Sequence, residues 1–288
     1  MTFNTNLPIK KSKKDINSYT KNGPLFGNVL FKLYKLILES KLKNAEDVQR
    51  EYVKLMKEDF YKSRMMPINH EVFPFIDQKN TYGNKFNNEI CVSVNDCVAH
   101  GFYEQDFKPG DVISIDCGFR DTTYNTGKDN IHLHYDSAFT VKLPTSKDKK
   151  QGWVDTPRIA IQEIVKQNPK TTLELGAVIE EVADKHKMSI VLSLTGHGIG
   201  YSLHEAPIIY NAQGQFLNEE LFDGLCFCAE PIFSPGKGEK NSIVKTYIDS
   251  DGWSIYTRNG NPTSHFETML CVDNGQIIDL TGMTKWSL

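Results

Sequence analysis

The sequence predicts an α+β domain made of two similar halves. Its predicted elements run in the order helix pair, strands, helix pair, strands, although the residues show no strict repeat. The 288 residues are enough for one large domain or two small ones. Hydrophobic residues make up 39% of the chain and charged residues 24%, which is typical of globular proteins.

The N-terminal residues 1–22 are polar and rich in Lys, Asn and Ser, which predicts a flexible arm. The lysines between Lys10 and Lys14 are expected to face solvent. A single folded domain is then expected over residues 23–288.

Two helices are predicted at the start of this domain. Apolar residues at helical spacing begin just after Pro24. Asn44 is a good N-cap residue for a second helix, whose apolar pattern continues to Phe60. Three predicted strands follow, at Ile90–Val94, Val112–Asp116 and Phe139–Val141.

The second half opens with another pair of predicted helices. Thr156 and Pro157 are typical of an N-cap and a first helical position, and Thr171 with Glu174 forms a capping box. Five predicted strands follow, at Ser189–Leu194, Leu225–Glu230, Ser242–Ile248, Phe266–Val272 and Gln276–Leu280. The dipeptide 274–275, Asn-Gly, predicts a hairpin turn between the last two strands.

Composition and charge argue against several classes of protein. A net charge of −3 gives no electrostatic reason to expect nucleic acid or an anionic membrane as a partner. No apolar run approaches the roughly 18–20 residues that span a bilayer, and the polar start lacks the apolar core of a signal peptide. We therefore expect a cytoplasmic monomer whose six cysteines are buried free thiols.

Four acidic residues interrupt apolar sequence in or beside predicted strands: Asp116, Asp136, Glu230 and Glu267. A carboxylate is costly to bury in such a position without a cation. Any one of them alone is more simply explained as an acid at a strand end that faces solvent. Four in one chain, with a histidine motif between them, predict a metal site, because carboxylates and neutral imidazole are ligands of divalent cations.

The histidine motif is the segment 196–207, Gly-His-Gly-Ile-Gly-Tyr-Ser-Leu-His-Glu-Ala-Pro. Glycines on both sides of His197 let the backbone approach a ligand closely and take unusual dihedral angles. A lone histidine is usually a core or surface residue, but this surrounding pattern favours a ligand.

This GHGIG-x-x-x-HE-x-P segment resembles the signature of the pita-bread metallopeptidases, family M24, which include methionine aminopeptidases, Xaa-Pro aminopeptidases and prolidases. The resemblance extends from about Ile16 to Leu280. The family's order of five metal ligands is matched by Asp116, Asp136, His197, Glu230 and Glu267. Residues 94–96, 99–101 and 251–253 (Val-Asn-Asp, Ala-His-Gly and Asp-Gly-Trp) resemble segments of the type I methionine aminopeptidases in particular.

The resemblance implies a pita-bread fold, in which helices cover a curved antiparallel sheet in two pseudo-symmetric halves. It also implies two divalent ions, each Co, Mn, Fe, Zn or Ni. In that scheme Asp136 and Glu267 bridge the ions, His197 and Glu230 complete one, and Asp116 chelates the other.

The implied activity is removal of the N-terminal initiator methionine from polypeptides whose second residue is small. Glu230 is then the proton acceptor, His204 steadies the carbonyl oxygen, and His100 contacts the amide nitrogen of the substrate. The expected partners are the N-termini of nascent polypeptides near the ribosome. The candidates for an apolar methionine pocket are Tyr82, Phe86, Cys91, Leu203 and Trp253.

The sequence departs from the family pattern at two places. Nineteen residues separate Asp116 from Asp136, more than is usual, which predicts a lengthened hairpin whose strand bases keep their positions. Beside Glu267, His265 replaces a glutamine of the family and Thr268 replaces a histidine, which changes the surroundings of the bridging carboxylate. Asp121 and Asp129 are rival second ligands, and His132 and His134 are expected in surface or loop positions.

Two alternative functions remain open. An Xaa-Pro aminopeptidase or dipeptidase has the same fold, and the Asp-Gly-Trp segment argues against it. A pita-bread binding protein without catalysis, such as a ribosome- or RNA-associated factor, is a candidate from another class. Such proteins usually lose metal ligands, whereas this chain retains all five.

Overall fold

The computed structural model describes residues 7–61, 85–124, 132–148, 150–214, 217–236 and 242–287. The α-helices in these residues are α1 (Lys13–Leu38), α2 (Ala45–Leu55), α3 (Thr156–Gln167) and α4 (Thr172–Lys185). A π-helical segment, Met56–Tyr61, continues α2, and short 3₁₀ helices lie at Gly152–Asp155 and Met283–Lys285. The predicted order of two helix pairs, each followed by strands, is confirmed.

The strands before α3 are β1 (Ile90–Val94), β2 (Cys97–Ala99), β3 (Val112–Asp121) and β4 (Leu133–Lys142). Those after α4 are β5 (Met188–Val191), β6 (Gly196–Gly198), β7 (Glu205–Ile209), β8 (Cys226–Ala229), β9 (Ile232–Pro235), β10 (Ile243–Val244), β11 (Thr246–Ile248), β12 (Ile255–Thr257), β13 (Ser264–His265), β14 (Thr268–Asp273) and β15 (Gln276–Asp279). The strand predicted at Phe139–Val141 is therefore longer, because Leu133 and Tyr135 also face the core.

The expected flexible arm is wrong for residues 13–22, which form the first turns of α1. Ser12 caps this helix. Its hydroxyl accepts a hydrogen bond from the backbone N–H of Asp15 at 3.2 Å, and its own N–H donates to the Asp15 carboxylate at 2.9 Å. Tyr19 is fully buried. The helix was missed because lysines and asparagines surround its few buried apolar side chains. Pro24 lies inside the helix, not at its start.

The first half is organised by a three-stranded antiparallel sheet in the order β1-β3-β4. The pair β3 and β4 forms a hairpin ten residues deep, from Val112 opposite Lys142 to Asp121 opposite Leu133. This is the predicted lengthened hairpin. Helix α1 packs against it, and Phe26 meets Phe119 edge-on with ring centroids 5.0 Å apart.

The second half is organised by a five-stranded antiparallel sheet in the order β15-β14-β8-β6-β7. A four-stranded sheet, β10-β5-β9-β13, lies in the same half, and in it β10 pairs with β5 in the parallel direction. A third sheet, β11-β12-β2, links the two halves through the pairing of Ala99 with Ile255. Helices α3 and α4 pack against each other on this side.

The two main sheets meet at a single β-bridge between Ala138 of β4 and Glu267, which directly precedes β14. The Glu267 N–H donates to the Ala138 carbonyl at 2.9 Å, and the Ala138 N–H donates back at 3.2 Å. Backbone hydrogen bonds therefore join the halves at the position of one predicted metal ligand.

Most buried apolar side chains form one continuous cluster that extends through both halves. All six cysteines are free and buried, as predicted. Among the described residues, none of the helices has the length and apolarity needed to cross a bilayer.

Candidate metal centre

The hairpin of β3 and β4 places Asp116 and Asp136 on the same face of the sheet. Asp116 lies opposite Ala138, and Asp136 lies opposite Gly118, so the two acids are diagonal neighbours. Their carboxyl groups are hydrogen-bonded to each other. The additional residues lengthen β3 and β4 on the side away from the two acids, so the longer spacing does not separate Asp116 from Asp136.

The five-stranded sheet contributes His197 from β6 and Glu230 from the end of β8. His197 lies opposite Cys228, two residues before Glu230, so both side chains reach the same region. The Asn211 side-chain amide donates to the Glu230 carbonyl at 3.2 Å and to the Leu194 carbonyl at 3.1 Å. These bonds fix the chain where it leaves β8.

The glycines beside His197 have a packing role that the sequence did not reveal. A Cβ atom on Gly196 would lie 2.3 Å from the Cys228 carbonyl oxygen, and one on Gly198 would lie 2.2 Å from that of Ala206. Glycine is therefore required here because neighbouring strands come close. The predicted close approach of this backbone to a ligand stays a prediction.

All five predicted ligands converge on one buried cluster. The Nε2 atom of His197 lies 3.7 Å from Glu230 Oε1, 3.9 Å from Asp136 Oδ2 and 4.0 Å from Glu267 Oε1. Side-chain oxygens of Asp116, Asp136 and Glu267 lie within 4.8 Å of one another. The histidine contacts are too long for hydrogen bonds, but two ligands that share an ion at about 2.1 Å are this far apart.

The electrostatics of the cluster fit a divalent cation. Burial raises the pKa of Asp116, Asp136, Glu230 and Glu267, and the mutual repulsion of the carboxylates raises the pKa of the last three further. Among the described residues, buried oxygens without a hydrogen-bond partner occur on Asp116, Asp136 and Glu267. A buried carboxylate oxygen of this kind is costly unless a cation neutralises it, so the residues present suit a metal.

His197 is also prepared for metal binding. Burial lowers its pKa to about 4, so the imidazole is neutral near neutral pH. Its Nδ1 atom lies 3.0 Å from the Gly198 carbonyl oxygen, and a proton on Nδ1 would be donated to that oxygen. This contact favours the tautomer with a lone pair on Nε2, the atom that faces the carboxylates.

His204 lies beside the cluster, and His100 directly follows β2. The ring of His204 stands edge-on to that of His197, with centroids 4.5 Å apart, and its nitrogen belongs to a group with Asp136 and His197. His100 follows β2 in a left-handed backbone conformation, φ 56°. The backbone around it is held by hydrogen bonds between Gly101 and the neighbouring strand β1. Both imidazoles are half-buried.

The predicted pocket residues are partly brought together. Phe86 and Trp253 pack with ring centroids 5.5 Å apart, and Cys91 lies opposite Asp116 on the adjoining strand. Leu203 is buried directly before His204. Tyr82 lies outside the described residues.

The Asp-Gly-Trp segment has a visible structural role. The Asp251 carboxylate accepts hydrogen bonds from the backbone N–H groups of Trp253 at 2.7 Å and Ser254 at 2.9 Å. Gly252 adopts a left-handed conformation, φ 75°. This Asx-type turn orients Trp253 toward Phe86.

Of the two rival ligands, Asp121 is assigned another role by the structure, and His134 also differs from its expected position. Asp121 is buried, but its Oδ1 accepts the Thr123 N–H at 3.0 Å and so closes the hairpin end. Asp129 lies outside the described residues. The expected surface position of His134 is wrong, because its N–H donates to the Gly200 carbonyl at 2.8 Å and its ring is half-buried.

Lys11 and Glu205 form a buried ion pair that the sequence did not predict. The lysine Nζ lies 2.6 Å from Glu205 Oε2, and both side chains are almost fully buried. The other oxygen, Oε1, accepts the N–H groups of Tyr201 at 2.7 Å and Ser202 at 3.0 Å. Lys11 therefore does not face solvent, and it fixes the loop that precedes His204.

His265 was also absent from the predicted ligands. Burial lowers its pKa to about 3, and its Nε2 lies 3.8 Å from Glu230 Oε2. Cys228, predicted as a core residue, is buried and at the same time hydrogen-bonded to Glu267. The feature of the sequence that could have indicated His265 as a site residue is its position two residues before Glu267.

A model of metallopeptidase family M24 matches residues 43–274 of the chain. A methionine aminopeptidase of Mycoplasmoides gallisepticum is 30% identical over 253 residues, which cover 84% of this chain and 95% of the relative. The residues that the family model matches include all five converging residues.

Solved structures give a concordant result for the fold. A methionine aminopeptidase from Thermotoga maritima has a TM-score of 0.74 and 25% identity, with 96% of this chain and 99% of that chain covered. A prolidase from Thermococcus sibiricus shares the fold, with a TM-score of 0.60 at 18% identity, and this chain covers 60% of it. The expected pita-bread architecture is confirmed.

Proposed function

The chain belongs to metallopeptidase family M24, and we propose that it is a methionine aminopeptidase that removes the N-terminal methionine from polypeptides with a small second residue. The observation that carries this proposal is the convergence of five metal-ligand side chains, four buried and Asp116 half-buried, from both halves of the fold. The similarity to a methionine aminopeptidase over 84% of the chain supports the choice of substrate.

We propose two divalent ions in this centre. Asp136 and Glu267 belong both to the oxygen group with Asp116 and to the set of contacts around His197, so each can bridge two ions. Glu230 completes the ion on the His197 side. Carboxylates with one imidazole accept Co, Mn, Fe, Zn or Ni.

When bound, the ions supply Lewis acidity that polarises the scissile carbonyl and acidifies a water molecule. Glu230 accepts a proton there, since its carboxylate lies inside the cluster that would hold the ions, with Oε1 3.7 Å from His197 Nε2. His204 donates a hydrogen bond toward the carbonyl oxygen, where negative charge develops. His100 orients the amide nitrogen of the scissile bond.

The methionine side chain is assigned to the apolar surface of Phe86, Trp253, Cys91 and Leu203. The tilted aromatic pair of Phe86 and Trp253 offers polarizable ring edges to a thioether. Cys91 lies next to Asp116 in the strand register, so this surface adjoins the metal centre.

The substrates we propose are the N-termini of nascent polypeptides, reached near the ribosome in the cytoplasm by a monomeric enzyme. Every newly made chain begins with the initiator methionine, so nascent chains carry the N-terminal residue that the proposed activity removes. Binding of nucleic acid is not part of the proposal, because the net charge is −3.

The test is a comparison of peptides with the purified chain. After chelation and reloading with each metal, a Met-Ala-Ser peptide and an Xaa-Pro dipeptide are offered at equal concentration. We expect release of free methionine from the first, with little cleavage of the second, and loss of both activities in Glu230→Gln.

A preference for the Xaa-Pro dipeptide would replace the substrate class but keep the reaction. A chain that takes up no divalent ion under any loading would overturn the enzymatic proposal itself and leave the binding-protein alternative.

A further inference from the structure

We propose that His265 is a sixth protein ligand of the centre and binds, through Nε2, an ion that Glu230 and Glu267 also hold. This inference rests on the proposed function, because it assumes that the centre binds a divalent ion. It adds a second imidazole to a ligand set that otherwise contains one.

The backbone of His265 is fixed at the boundary between the two halves. Its N–H donates to Thr140 Oγ1 at 2.8 Å, and its carbonyl accepts the Thr140 hydroxyl at 2.7 Å. Strand β13 also pairs with β9 at Ile232, two residues after Glu230. These bonds fix the backbone from which the imidazole extends toward Glu230.

The ring nitrogen of His265 lies where a ligand would lie. Nε2 is 3.8 Å from Glu230 Oε2, while His197 Nε2 is 3.7 Å from Glu230 Oε1. The two imidazoles therefore flank opposite oxygens of one carboxylate. Ligand atoms of Glu230, His265 and Glu267 all lie within 4.8 Å of one another.

A hydrogen bond does not explain this position. The separation of 3.8 Å is too long for a hydrogen bond to Glu230. Among the described residues, Nε2 has no hydrogen-bond partner, although only 3% of the His265 surface is exposed. A buried nitrogen without a partner is costly, and a cation in the cluster satisfies it.

A second imidazole changes which metals the centre prefers. Imidazole suits Zn, Fe, Ni and Co, whereas Mn favours oxygen ligands. We therefore expect His265→Gln to weaken zinc binding by about 10- to 100-fold and manganese binding by less. His186→Gln, at an exposed position, is the matched control and is expected to change neither affinity.

The decisive measurement is NMR of the chain labelled at histidine nitrogens and loaded with an NMR-active cadmium isotope. A directly bound Nε2 shows a scalar coupling to cadmium. We expect one such coupling to disappear in His265→Gln and to remain in His186→Gln. Calorimetric titration with zinc and with manganese gives the affinities.

The possible outcomes separate the inference from the function on which it rests. If the unsubstituted chain and His265→Gln show the same set of histidines coupled to cadmium, the ligand assignment is overturned, even if activity falls in the variant. If the variant does not fold, the spectrum of the unsubstituted chain decides the question. A single histidine coupled to cadmium in that spectrum would also overturn the ligand assignment. Absence of any metal uptake would overturn the proposed function first.

Discussion

The carboxylates of the centre carry an energetic cost when they are ionised together. Asp116 and Asp136 are already hydrogen-bonded to each other, and burial raises the pKa of both. In the metal-free chain this favours proton uptake on folding. A cation takes over the role of those protons, so metal binding and proton release are coupled.

This coupling gives metal-free protein a specific pH dependence. A carboxyl group whose pKa is higher in the folded chain than in the unfolded chain binds its proton more tightly when the chain is folded. Its contribution to stability is complete below the unfolded-state pKa, about 3.9 for Asp116, and is lost as the pH rises through the folded-state pKa. We expect the free energy of unfolding, measured by urea titration after chelation, to fall between pH 4 and neutral pH. Stability that rises over this range would contradict the prediction.

His204 and His197 differ in what their loss should do. We expect His204→Gln to lower kcat about 100-fold while the metal content is retained, because the residue acts on the developing oxyanion. His197→Gln should lose metal affinity first, since Nε2 lies among three carboxylates. Metal analysis beside peptide kinetics checks both, and loss of metal from His204→Gln would make it a ligand.

At the scale of elements, polar contacts attach α1 to the loop that precedes His204. Asp15 accepts hydrogen bonds from the hydroxyls of Tyr124 at 2.9 Å and Tyr201 at 2.8 Å. Lys11, just before the helix, reaches Glu205. A Cβ atom on Gly200 would lie 1.7 Å from the Lys11 Cε, so glycine is needed where the lysine passes.

Removing the lysine should therefore be costly. We expect Lys11→Met to lower the free energy of unfolding by about 3–5 kcal/mol, because Glu205 is left buried and unpaired. The matched control is Lys13→Met, whose pair with Asp273 is exposed and should contribute nothing measurable. Urea titration of both variants measures the difference, and equal effects would refute the role of burial.

The elements and ligands that could be predicted from the sequence are those indicated by a few neighbouring residues. An acid beside an apolar strand, as at Asp116 and Glu230, is unusual within a few residues and needs no knowledge of the fold. The Lys11–Glu205 pair was unpredictable because its partners are 194 residues apart. His265 was noticed as a substitution, but its direction depends on Thr140 of the other half.

At the scale of the whole molecule, the metal centre joins the two halves. Asp116 and Asp136 come from the first half, and His197, Glu230 and Glu267 come from the second, beside the Ala138–Glu267 bridge. A cation bound there contacts both halves at once. It therefore stabilises their association as well as the ligands.

Metal binding should accordingly raise the unfolding temperature of the whole domain. A free metal concentration about 100 times Kd adds about 2.7 kcal/mol. Asp116→Asn is expected to stabilise the metal-free chain, because it removes one repelling carboxylate, and to reduce the gain on adding metal. Scanning calorimetry with and without zinc measures both effects, and an unchanged gain in the variant would contradict the assignment.

The bridge between Ala138 and Glu267 also sets an order of events during synthesis. The ribosome makes Asp116 and Asp136 long before Glu267, at about 5–20 residues per second. Until Glu267 has been made and has emerged from the ribosome, it cannot join Asp116 and Asp136. The five predicted ligands therefore come together only after Glu267 has emerged.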